Sequence, residues 1–239
     1  MELFDAILSD TITQLNPFIT HRWSYDPADA WPDTGKSELV LQRDMAYELG
    51  GEGCPGVQYC CVTTGSVLDE KNEIILCGPD LPEIAENSAY ARIALVRVSS
   101  LDGTDDDQYR QLCEAAFVKY RVFPKGCMLR ISPESNREQV RLSRQAIQEG
   151  ISFRRVGADF IRAYQTLPNL VSVKLLFVTD PAVDYEALAN AAAGVQARLH
   201  ALNTILSGLA TDCASCQMQP LCDEVEGMRE LHLQHAKNA

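Results

Sequence analysis

Apolar residues recur at three- and four-residue intervals from Phe4 through Ile7, Leu8 and Ile12 to Leu15, which predicts a short amphipathic helix closed by Asn16-Pro17. No period holds over residues 21–35, which contain Pro27 and Pro32. This stretch reads as an irregular connection whose Trp23 and Trp31 serve as packing anchors. Alternation then takes over at Leu39, Leu41 and Met45, around Arg43 and Glu48, and predicts a strand within residues 38–49. It leads into the turn Gly50-Gly51-Glu52-Gly53-Cys54-Pro55-Gly56. The β-rich run Val57-Gln-Tyr-Cys-Cys-Val-Thr-Thr64 follows, with Cys60 and Cys61 on opposite faces. The turn lacks the spacing of a phosphate loop.

Two more strands are expected over residues 73–77, with Cys77 as a small core residue, and over residues 91–98. The acidic start Asp105-Asp106-Asp107 suits the positive end of a helix over residues 105–122. Tyr109, Leu112, Ala116 and Tyr120 would share one face of it, with Cys113 buried beside them. A short strand at residues 126–131 precedes Ser135-Asn-Arg-Glu138. Those four residues have the form of a capping box and predict a helix to Gly150 carrying Arg137, Arg141 and Arg144 along one side. A helix over residues 157–167, a buried strand over 171–178, an alanine-rich helix over 183–206 and a closing helix over 223–235 complete the pattern.

These elements predict a mixed α/β (α+β) fold. Its central sheet is expected from the runs near Leu39, Val57, Ile74, Ile93, Leu129 and Val173, with helices packed on it. Residues 1–208 form the α/β domain, and residues 209–239 a small helical C-terminal segment with no Pro-, Gly- or Ser-rich linker before it. A chain of 239 residues that is 46% hydrophobic can bury a large core. No apolar run approaches the length of a membrane span and the start, Met1-Glu-Leu-Phe-Asp, is acidic, so a soluble cytoplasmic protein is expected. The net charge of −12 argues against a nucleic-acid partner.

That charge is uneven. Residues 119–162 hold ten cations against four acids, an island that fits either a solvated basic face or a seat for an anionic small molecule or an acidic partner such as a ferredoxin.

The most specific chemistry lies at the end. Cys213, Cys216 and Cys222 form a C-x2-C-x5-C run, and thiolates so close together select zinc, copper(I) or an iron–sulfur cluster. Structural zinc usually brings a second close pair downstream, which is missing here. A [4Fe–4S] cube, often held by three thiolates in a run and one from elsewhere, is therefore the preferred reading. Cys54, on the glycine turn, is the leading remote ligand. The alternative is an open iron. His232 and His235, one turn apart, read as a solvated tail rather than a metal pair.

Four stretches in order, Arg43-Asp-Met-Ala-Tyr-Glu-Leu-Gly-Gly51, Ile75-Leu-Cys-Gly-Pro-Asp-Leu81, Gly150-Ile-Ser-Phe-Arg-Arg and Val173-Lys-Leu-Leu-Phe-Val-Thr-Asp180, carry a resemblance to a known family. The chain resembles the middle domain of the acetyl-CoA synthase subunit of the carbon monoxide dehydrogenase/acetyl-CoA synthase complex. The likeness continues to the entrance of that family's cluster domain, where Cys213, Cys216 and Gln217 fall. It implies cube ligation by Cys213 and Cys216, with Cys222 as a third ligand. It also implies an anionic ligand at the arginine-rich stretch that includes Arg130, Arg137, Arg141 and Arg144, although the tryptophan found there in the family is missing. The family's large N-terminal domain and its nickel-binding Cys-Gly-Cys motif have no counterpart, and its third cluster cysteine lies further along than Cys222 does.

Three functions follow. The first is a cluster-carrying accessory or electron-transfer protein of anaerobic one-carbon metabolism, working beside a corrinoid protein, a carbon monoxide dehydrogenase or a ferredoxin. The second is a metalloenzyme that uses an open iron, or a bridged second metal such as nickel, on a small anion held by the arginines. The third is a metal-stapled interaction module. A homo-oligomer is compatible with each.

Overall fold

The computed structural model describes residues 3–132 and 135–206. In chain order they form α1 (Asp5–Leu15), β1 (Ile19–Ser24), β2 (Met45–Leu49), β3 (Gly56–Thr63), β4 (Glu73–Cys77), β5 (Tyr90–Val98), α2 (Asp105–Phe117), β6 (Cys127–Ser132), β7 (Arg137–Ser143), α3 (Arg144–Gln148), α4 (Phe153–Tyr164), β8 (Leu170–Val178) and α5 (Tyr185–Leu206). The fold is mixed α+β. Among the described residues no helix is long and apolar enough to cross a membrane. The expected boundary at residue 208 and the expected helix over 223–235 lie outside the described residues.

The strands divide between two sheets: a five-stranded mixed sheet ordered β1-β4-β8-β5-β3, and a three-stranded antiparallel sheet ordered β2-β7-β6. β8 is central in the larger sheet. It is covered on both faces, which is why its sequence is nearly all apolar rather than alternating. Tyr59, Ile93, Leu176 and Ile75 form one row across that sheet, and Cys60, Ala94, Leu175 and Ile74 the row on the opposite face. On the first face α1 meets β3, with the Thr11 and Tyr59 hydroxyls 2.9 Å apart, and α5 packs alongside. On the second lies α4. There Gly157 presses against Ile74, leaving no room for a Cβ, and Phe153 stacks on Phe177 with centroids 4.5 Å apart.

Four expectations need correction. Residues 135–150 do not form one helix: Arg137–Ser143 is strand β7, followed by the five-residue helix α3. The deciding pattern is the alternation of Glu138, Val140 and Leu142, which are buried, with Arg137, Gln139 and Arg141, which are not. A turn at Asn136, with φ of 50°, reverses the chain after β6. The single sheet becomes two, because Leu129 pairs with β7, and of the strand expected within residues 38–49 only Met45–Leu49 forms, as β2 of the smaller sheet, while Leu39 and Leu41 stay outside it. The supposedly irregular stretch from His21 contains most of β1, an edge strand whose exposed, polar composition hid it. On α2 the buried stripe is Leu112, Ala115 and then Val118 beyond its end. Cys113 is half-buried, and Tyr120 and Phe117 are exposed.

Candidate functional site

Cys213, Cys216 and Cys222, together with His232 and His235, lie outside the described residues. Cys54 is half-buried on the turn between β2 and β3. With Gly53, Pro55, Arg137, Tyr185 and Glu186 it lines an open concavity of about 530 Å³. Among the described residues no group of three or more His, Cys, Asp or Glu side chains could hold a metal ion.

The remaining thiols differ in fitness for that role. Burial raises the Cys61 and Cys127 thiols well above the ordinary range, and raises Cys60 and Cys77 to about 11. All four are protonated; Cys61, Cys77 and Cys127 are enclosed, and Cys60 is half-buried. Cys113 is half-buried on α2 and, like Cys54, stands near the surface.

The four arginines do not converge. Arg137 Nη2 donates to the carbonyl oxygens of Gly50, Gly51 and Cys54, at 3.3, 2.8 and 3.3 Å, and so clasps the glycine turn. Arg141 pairs with Glu48 at 3.2 Å, and Arg144 donates to the Arg43 carbonyl at 2.7 Å. Arg130 is exposed on β6. Much of the rest of the basic island is also spent internally: Lys125 pairs with Glu149, Arg154 with Asp29 and Arg162 with Asp159, while Arg155 lies over the Trp31 ring. A +6 stretch of sequence thus becomes scattered pairs rather than one cationic patch.

A different charged group occupies the interior. Arg92, on β5, meets Glu138, on β7, through both carboxylate oxygens, with Nε to Oε1 at 2.9 Å. Their side chains are 2% and 0% exposed. Tyr90 donates to the same carboxylate at 3.4 Å, and the Arg92 guanidinium lies 4.3 Å from the centre of the Phe160 ring. Two glycines permit this approach. A Cβ at Gly50 or Gly56 would collide with the Glu138 carbonyl oxygen, so the turn rests directly on the β7 backbone.

Lys119 stands beyond this pair, in the 3-10 turn that follows α2. Its Nζ donates to Gln58 Oε1 at 2.9 Å and lies 5.4 Å from the centre of the Tyr120 ring. Burial, and then the Arg92 charge, bring its ammonium down to about 8, against an opposing pull from Cys60 and Glu138. On one side Lys119 lines a cleft of about 450 Å³ with Tyr59, Phe117, Tyr120, Val195 and Leu199. On the other it borders a hollow of about 270 Å³ lined also by Phe123, Cys127 and Ile131. Sequence reasoning counted Lys119 within the basic island without singling it out. No local signal could have done so, because Gln58 arrives from 61 residues away.

The chain matches no protein-family model and no curated protein sequence.

Proposed function

We propose that the chain is an iron–sulfur-cluster-binding protein related to acetyl-CoA synthase, serving as an electron-transfer or accessory component of anaerobic one-carbon metabolism. The observation that carries this reading is the run Cys213-x2-Cys216-x5-Cys222, which begins seven residues beyond Leu206, the last described residue of α5. Cys213, Cys216 and Cys222 would hold a [4Fe–4S] cluster, which supplies one-electron chemistry when bound. The partners that fit are a corrinoid protein, a carbon monoxide dehydrogenase or a ferredoxin.

Chain reach bears on the fourth ligand. Cys54 sits by Tyr185, Glu186 and Ala189, in the first turns of α5. The helix then carries the chain some 26 Å further, from Ala189 to Leu206, at about 1.5 Å per residue. Seven extended residues span at most about 25 Å. Cys54 can therefore complete the cluster only if the chain returns along nearly the whole of α5. Cys113 is nearer to where α5 ends, since its neighbour Leu112 shares a small cavity with Leu202.

The test is purification without oxygen, followed by iron and sulfide analysis and electron paramagnetic resonance. The expected protein holds about four irons and has a visible absorbance that dithionite bleaches. Replacing Cys213 or Cys216 with Ser abolishes both. Protein that holds no iron, or holds zinc alone, overturns the proposal.

A further inference from the structure

The Lys119 cleft carries a second site, independent of any metal. We propose that it binds a small apolar carboxylate, with the headgroup taken by Lys119 Nζ and the hydrocarbon part by Tyr59, Phe117, Tyr120, Val195 and Leu199.

Charge is the first reason. Lys119 is half-buried, and its partners are an amide oxygen and a ring face rather than a carboxylate. Glu138, whose charge opposes its desolvation, is engaged through both oxygens by Arg92. A buried ammonium without a counter-ion is costly, and an incoming anion removes that cost.

The second reason is how the ammonium is held. Gln58, 2% exposed on β3, accepts from Lys119 Nζ through Oε1, which fixes the ammonium at the cleft wall without neutralising it. A ligand that matches one cation set in an apolar wall carries one negative charge and an apolar body, which is a carboxylate. A phosphate monoester would bring a second charge into an apolar cleft that offers one cation.

The walls are the third. The cleft has the size of an ordinary small-molecule site, and its lining is chiefly aromatic and aliphatic. Phe117 and Tyr120 stand at 56% and 36% exposure with ring centroids 5.7 Å apart, forming an apolar rim that water covers in the free protein.

Titration calorimetry on the full chain, with octanoate, octan-1-ol and octylammonium as probes, tests this directly. Octanoate is expected to bind about tenfold or more tighter than the alcohol, and the amine not at all, since a hydrogen bond to a charged group contributes about 1.5–3 kcal/mol. Lys119→Met should remove the preference for octanoate while the protein still melts cooperatively, and Gln58→Leu should weaken octanoate alone. With Lys119 titrating near 8 among Arg92, Glu138 and Cys60, octanoate affinity is level from that pH down to the range in which the probe's own carboxyl protonates, and falls above it. Equal binding of the three probes, no binding of any, or unchanged octanoate affinity in Lys119→Met overturns the proposal. The probe comparison on the unmodified protein decides the matter even if a variant misfolds. Iron content has no bearing on any of these outcomes.

Discussion

Arg92 and Glu138 join the two sheets through a doubly bonded ion pair from which solvent is almost wholly excluded. Neither residue can be removed alone without leaving the other charged and unpaired in the interior. Glu138→Ala is expected to cost about 3–5 kcal/mol. The double replacement Arg92→Met with Glu138→Leu should cost much less than the sum of the single changes. Urea unfolding of the three variants checks this, and additive costs would refute a coupled pair.

The same pair depends on the glycine turn. Gly56→Ala places a methyl group against the Glu138 carbonyl oxygen and the Gly50 backbone. It should destabilise the protein by about 3 kcal/mol, chiefly through backbone displacement. Gly53 lies in the same turn with φ of 78° and open space around it, so Gly53→Asn should cost under about 1 kcal/mol. Thermal unfolding of the two variants compares them.

Asp159 gives a dependence on pH. Its carboxyl is 2% exposed, accepts from Arg162 at 2.7 Å through Oδ1, and has no partner at Oδ2. Burial, only partly opposed by Arg162, raises it from 3.8 to about 7. The folded protein therefore retains a proton that the unfolded chain releases near 3.8, and this site's contribution to stability declines as pH rises from there to about 7. Asp159→Asn should stabilise the protein more at pH values above 7 than near pH 4, as measured by melting temperature across that range. An equal effect at both ends would refute the assignment.

If the C-terminal cysteines hold a cluster, Cys54 and Cys113, both half-buried, are the candidates to complete it. Cys113→Ser should lower the iron retained by anaerobically purified protein more than Cys54→Ser does, because Cys113 lies nearer the end of α5. Unchanged iron in both variants would mean that the cluster keeps an open iron, and a loss confined to Cys54→Ser would mean that the chain doubles back along α5.

Elements with strong periods were legible. The amphipathic helix before Asn16-Pro17, the apolar run of β8 and the alanine-rich α5 all stand where hydrophobic spacing places them. Segments with few apolar residues were misread. In β7 only Val140 and Leu142 mark the buried face, and the third inward position is Glu138, whose charge made the stretch resemble a helix start.

Composition and local spacing by themselves determined the α+β class, the strands of the larger sheet apart from β1, and the presence of a close cysteine run, because these depend on residues adjacent along the chain. Tertiary structure alone decided that the strands divide into two sheets, that most of the basic island pairs internally, and that Gln58, Arg92, Lys119 and Glu138 meet. Burial of a charge depends on partners from distant parts of the chain, and a local pattern of polar and apolar residues contains no record of which partners those are.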